Sequence, residues 1–235
     1  MSISINRSNP AAFYGNVQKR SIRDNFQKLS SGKKINSAKD DAAGFAISEK
    51  MLSSINKANK EIENYQDEKS MINVSDGMYG GTDDYLMDMY TQALRGSNSL
   101  MSDDDRKILT DYMGELKKDA QSMLSTTKFN EMKVADPNAA KNLPKDFDLQ
   151  SISDAMKSIN SIRSRDGARF NGLEHRIANK EAEAYNTTAA RSRISDTEYG
   201  SAVSELNKNR SLETYRYQMQ NRQMQDSRNS ILGLF

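Results

Sequence analysis

His175 is the single histidine of the 235-residue chain, and the chain has no cysteine. Thiol chemistry, disulfides and thiolate metal sites are therefore excluded, and several histidines cannot converge on a metal or a nucleophile. In Leu173-Glu174-His175-Arg176 the lone imidazole reads as an ordinary helical residue. Asp103-Asp104-Asp105 is the most concentrated carboxylate cluster. Preceded by Ser102, it reads as the charged first turn of a helix, complementing the dipole, and not as a cation site. Gly77, Gly80 and Gly81 lack the lysine and spacing of a phosphate loop, and neither GxGxxG nor HExxH occurs. The 13 methionines recur mostly at helical-seam spacing, which points to packing. Asn73-Val-Ser and Asn186-Thr-Thr match a glycosylation acceptor only formally, since both fall in predicted helices. No catalytic residues, no metal and no cofactor are expected.

The elements that carry these residues are long helices. Pro and Gly are few, 36% of residues are hydrophobic, and mean hydropathy is −0.83. That balance suits extended helices with thin apolar seams. The net charge of +2, with 34 basic residues interspersed among 32 acidic ones, argues against a nucleic-acid partner. No apolar run approaches the ~18 residues needed to span a bilayer, so membrane insertion is not expected. The Met1–Asn6 stretch has neither the basic nor the apolar region of a secretory leader.

The first helix is expected from about Asn6 to Ser31, with a ragged apolar stripe of Phe13, Val17, Ile22, Phe26 and Leu29. Gly32 ends it. Ser37-Ala-Lys-Asp40 resembles a capping box and marks a restart. From Met51, steps of four and three give Ile55, Ala58, Ile62, Tyr65, Lys69, Ile72, Asp76 and Tyr79, a coiled-coil-type seam. A helix over Ala42–Tyr79 would be roughly 55 Å long and needs a long partner. Gly80-Gly81 is expected to interrupt it before a shorter amphipathic helix carrying Leu86, Met89, Tyr90 and Ala93. Ser102 opens another helix carrying Ile108, Leu109, Tyr112, Met113, Leu116, Ala120, Met123 and Leu124.

Residues 128–147 hold Pro137 and Pro144 and are predicted to be non-helical, with a short β-hairpin where Phe129, Met132 and Val134 alternate. Beyond them Leu149, Ile152, Met156, Ile159, Arg163, Asp166, Phe170, Leu173, Ile177, Lys180, Ala184, Thr187, Arg191 and Ile194 form a second seam. The natural arrangement is all-α: an antiparallel rod in which this helix returns along the first. The last 35 residues carry two narrow stripes, Val203–Leu206–Tyr217–Met224 and Leu212–Tyr215–Met219, and end in an apolar tag with Leu232, Leu234 and Phe235. Neither stripe alone holds a helix on a rod, so contact from more than one side is expected. Arg210, Arg216, Arg222 and Arg228 spiral around the helix and form no phosphate-binding stripe.

Leu29–Met51, LSSGKKINSAKDDAAGFAISEKM, closely resembles the N-terminal signature of bacterial flagellins. Lys128-Phe129-Asn130 resembles that family's TxFN stretch. Gly167–His175 resembles its GAxxNRxEH segment, and Ser192–Glu198 its SRIxDTDxA motif, departing at Glu198-Tyr199. The likeness covers residues 1–134 and 147–235. It implies an inner domain of paired termini (1–35 with 195–235) and a helical rod domain (36–194), with the short turn region 135–146 where larger members carry outer domains. It also implies termini that order on assembly into a helical filament, which fits their weak stripes.

The expected partners are further copies of the chain, the flagellar cap and hook-junction proteins, an export chaperone and the type III export apparatus. The expected location is extracellular, in the flagellum. A helix resembling Asp84–Ser99 engages Toll-like receptor 5 in many members. Tyr85 stands where activating members have arginine, while Met89 and Gln92 fit, so weak activation is expected. The rival readings are a hook-associated junction protein and a non-polymerising coiled-coil adaptor.

Overall fold

The computed structural model describes the backbone of residues 10–232 and the side chains of residues 15–226, 228 and 229. Five helices carry the fold: α1 (Pro10–Ser31), α2 (Ala42–Gly96), α3 (Asp103–Thr126), α4 (Leu149–Ser195) and α5 (Tyr199–Leu232). Two-residue strands β1 (Lys128–Phe129) and β2 (Met132–Lys133) pair antiparallel, Phe129 opposite Met132. Asn130 and Glu131 form the tight turn between them, both with positive φ.

Local chemistry explains the boundaries. Gly32 takes φ +70°, the left-handed conformation that ends α1. The helix restarts at Ala42 as expected, but its cap is not the expected Ser37. Asp40 does not cap α2; its carboxylate closes a separate turn, accepting from the Asn36 and Ser37 amides and the Ser37 hydroxyl. The cap is Asp41, whose carboxylate accepts from the Gly44 amide at 2.9 Å. At α3 the Ser102 hydroxyl accepts from the Asp105 amide, with the acidic triplet in the first turn as expected.

Gly80-Gly81 does not break the chain: α2 runs through both as one 55-residue helix. Two interior glycines cost about 1 kcal/mol each relative to alanine. Burial on either side of them offsets that cost, with Met78, Tyr79, Thr82, Leu86 and Met89 all enclosed. At Gly81 a side chain would also crowd Met123, since a Cβ would lie 3.0 Å from its Sδ.

Contacts divide the chain into two units, both crossed by α2 and α4. The unit Lys57–Glu183 contains the apolar core. There α2, α3 and α4 bury Tyr79, Leu86, Met89, Met113, Leu116, Ala120, Leu124, Ile152, Ile159 and Ile162. The segment after the hairpin closes over this core with Ala139 and Leu143, and Tyr79 Oη accepts from the Asp136 amide at 2.6 Å. Within the same unit α4 returns antiparallel along α2. The ion pairs Glu61–Lys180, Lys69–Glu174 and Asp76–Arg163 step forward on one helix and back on the other, and Glu68–Arg169 falls within the same run. Their side chains are partly exposed to water, so they set register more than stability.

Candidate assembly surface

The second unit, residues 1–56 with 184–235, joins α1 to α5. Its pairing begins where the two interhelix connectors meet. Lys33 and Asp196 form an antiparallel bridge, the Lys34 amide donates to Ser195 O, and the Thr197 amide donates to Gly32 O. The Asp196 carboxyl pKa is lowered, chiefly by the hydrogen bond from the Ser192 hydroxyl and further by that from Ser195. Tyr199 Oη donates to Leu29 O at 3.1 Å, fixing the start of α5 on the end of α1.

Further along, the α1–α5 interface is polar. Gln18 Nε2 donates to Asn209 O at 3.0 Å, and Asn209 Nδ2 donates to Ser21 Oγ at 2.9 Å. Asn25 is buried, as are Ala202 and Leu206. Gly15 lies against the Arg216 guanidinium so closely that a Cβ would sit 2.5 Å from Nη1. Arg216 Nε and Nη1 are buried there without an acceptor among the described residues. The Arg210 guanidinium covers the Phe26 ring at 4.9 Å.

Polar groups take much of the contact, and most of the larger apolar side chains of both helices face outward. Val17, Phe26, Val203, Leu212, Tyr215, Met219 and Met224 are all exposed, with Leu212 at 47%, Tyr215 at 61% and Met224 at 63%. Ile22 and Leu29 are half-buried, and Leu206 is the one member of the predicted α5 stripes enclosed within the chain. The side chains of Phe13, Leu232, Leu234 and Phe235, also assigned to this surface, lie outside the described residues. Tyr199 and Tyr217 join the exposed set. Completing the burial of a half-exposed Leu, Phe or Met is worth roughly 1 kcal/mol each.

The polar contacts Gln18, Asn25, Thr197, Asn209 and Arg216 escape a reading based on apolar periodicity. A polar face on an amphipathic helix ordinarily signals solvent, and nothing local marks this one as a contact.

Of the seam residues, Ile72, Ile152, Ile159 and Leu173 are buried, while Met51, Ile55, Ile62, Tyr65, Met156, Phe170 and Ile177 are half-buried. Lys69 sits on the Phe170 ring at 4.3 Å. Asp166 is buried on the seam with Ser75 Oγ donating to it at 3.3 Å, and Arg191 Nε donates to Ser48 O at 3.2 Å. These polar seam positions are therefore partnered, which is what burial requires of them.

The members of the expected receptor-facing set are placed unequally. Met89 has no exposed surface; it packs in the α2–α3–α4 core, because positions 78, 82, 86, 89 and 93 form the buried stripe of α2. Tyr85 is half-buried against the same core, and Gln92 is half-buried, accepting from Arg95 at 3.4 Å. Among the described residues, no group of three or more His, Asp or Glu side chains is placed to hold a metal ion, and no helix is long and apolar enough to cross a membrane.

Comparison with known proteins supplies the context for this surface. Residues 7–140 match the bacterial flagellin N-terminal helical region, and residues 149–235 match the bacterial flagellin C-terminal helical region. The chain is 31% identical to a flagellin of Halalkalibacterium halodurans over 216 residues, covering 77% of this chain and 79% of that protein. It is 29% identical to the flagellar filament 31.3 kDa core protein of Treponema maltophilum, covering 87% and 90%. It is 27% identical to the flagellin of Bacillus subtilis, covering 79% and 83%. Two family regions that take in α1 to α3 and α4 to α5, with relatives aligned over most of their own length, establish that this chain belongs to the bacterial flagellin family.

Proposed function

We propose that α1 and α5 form the polymerisation surface of this chain, with residues 1–35 and 195–235 as the assembling domain and 36–194 as the rod domain. The chain is a structural subunit of the flagellar filament, and it assembles with other flagellin subunits. The observation that supports this division of labour is the chemistry of the α1–α5 pair, with polar groups prominent in the contact and most of the larger apolar side chains outside. A helix pair that spends its apolar residues on the outside gains stability only when neighbours cover them. A repeated, non-closing contact between identical subunits then generates a helical polymer.

The finer reading places the subunit outside the cell in the flagellum, exported by the type III route with a chaperone and capped and joined to the hook by dedicated proteins. Receptor activation through the Tyr85–Gln92 stretch is weak in this reading. Tyr85 replaces a cation there, and Met89 would have to leave a packed core to make contact.

Seeded growth tests the central claim. Purified chain added to short filament fragments in a precipitant salt is expected to extend them into uniform tubes visible by electron microscopy. Monomers that persist, with seeds that fail to grow, would remove the polymerisation role from this surface.

A further inference from the structure

The chain lacks cysteine, so its thioethers are the most readily oxidised sulfur groups it has. They are unequally placed. Met78, Met89 and Met113 are buried in the core, whereas Met87, Met132, Met219 and Met224 are exposed. The last two occupy special positions, one on each apolar stripe of α5. Met219 follows Leu212 and Tyr215 on one stripe, and Met224 follows Val203, Leu206 and Tyr217 on the other; of these side chains Leu206 is enclosed and the rest are exposed. No other exposed methionine lies on α1 or α5 among the described side chains.

We propose that Met219 and Met224 are hydroperoxide-sensitive modification sites, and that their oxidation in the free chain blocks self-assembly. This rests on the polymerisation reading above. The step is a two-electron oxygen transfer. A sulfur lone pair attacks one peroxide oxygen, the O–O bond breaks, an S–O bond forms, and the departing hydroxide takes the proton carried by the transferred oxygen, which leaves the sulfoxide and water. Sulfur is oxidised and hydrogen peroxide is reduced. The product turns an apolar, flexible side chain into a polar one with a strong acceptor oxygen. On the free chain that oxygen is solvated. In an assembled contact lined by Leu, Tyr and Val, it would be buried without a donor and would oppose association. Both stripes are hit together, so neither side of α5 retains an unmodified surface. A filament that has already covered these side chains is protected, and the sensitivity belongs to the subunit awaiting assembly.

The test uses the full chain and hydrogen peroxide. Peptide mass mapping follows oxygen addition at each methionine, and growth on unoxidised wild-type seeds follows assembly. Oxidised wild-type chain is expected to grow about tenfold or more slowly, the scale of one unsatisfied buried polar group. The volume-conserving variant Met219→Leu/Met224→Leu should grow at the same rate before and after peroxide, while Met87→Leu/Met132→Leu should lose growth as the wild type does. Methionine sulfoxide reductase added to oxidised wild-type chain should restore growth without any substitution. Peroxide inhibition equal in the Met219→Leu/Met224→Leu variant and the wild type would overturn the assignment, as would normal growth of wild-type chain with both sulfoxides mapped. Failure of untreated wild-type chain to grow would instead overturn the polymerisation reading, and this proposal with it.

Discussion

Leu206 and Leu212 lie six residues apart on α5 and should behave oppositely when changed. Leu206 is 6% exposed within the chain and Leu212 is 47% exposed. Truncating Leu206 to Ala removes buried contacts in the α1–α5 pair and should destabilise that unit by about 2 kcal/mol, the lower end of buried Leu→Ala losses, since one neighbouring face is polar. Truncating Leu212 removes little from the free chain, so its unfolding should shift by no more than about 0.5 kcal/mol. Its cost appears on assembly. About half of the side chain remains to be covered, worth roughly 1 kcal/mol per subunit, so the critical concentration for seeded growth should rise about fivefold. Leu212→Asp goes further, because an unpaired carboxylate must be desolvated, and growth should stop at any practical concentration. Sedimentation of seeded reactions over a concentration series gives the critical concentration, and circular dichroism on the same samples gives unfolding. Unchanged growth of Leu212→Asp would refute the outward-face argument. So would a large loss of monomer stability in Leu212→Ala, because it would place that residue in the fold.

Other perturbations probe the frame that holds this surface. Leu86→Ala, at a fully enclosed position between α2, α3 and α4, should cost about 2–5 kcal/mol in chemical denaturation of the Lys57–Glu183 unit. Asp196 has a lowered folded-state pKa, so its hydrogen bonds contribute stability present above the unfolded carboxylate pKa, near ~4, and lost as pH falls through the folded value. Asp196→Asn should flatten the acid limb of the pH–stability curve, and an unchanged acid limb would count against that role. Gly15→Ala should force the Arg216 guanidinium out of its place, loosening α1–α5 and raising amide exchange along both helices. Arg216→Ala in the same chain should restore protection, and its failure to do so would show that the contact is not what excludes a side chain at position 15.

Much of the chain's organisation was legible in advance because helix periodicity and punctuation are local properties. The two seams read off as Met51–Tyr79 and Leu149–Ile194 meet antiparallel within the Lys57–Glu183 unit, for a plain reason. Two long helices with matching apolar stripes, joined through a short turn region, bury those stripes best against each other. Gly32 and Ser102 acted where they were expected to, since a left-handed stop and a hydroxyl cap depend on a few neighbouring residues.

The failures share a different cause. Gly80-Gly81 has the local propensity of a break, yet α3 and α4 bury its neighbours and the helix continues. Ser37 and Asp41 are both competent caps, and the choice of Asp41 follows from the turn that Asp40 closes with Asn36 and Ser37. Met89 has the same apolarity as an exposed Met87 two residues away, and only the packing of α2 sorts one inward and the other outward. The sequence by itself determined the helices, their principal breaks, the absence of thiol chemistry and the flagellin likeness, all of which reside in residue types and spacing. The tertiary structure alone decided that Gln18, Asn25, Asn209 and Arg216 are enclosed or bonded where α1 and α5 meet, while most of their apolar side chains stay outside. A period of hydrophobicity defines a face, but not whether that face is covered by its own chain or waits for another.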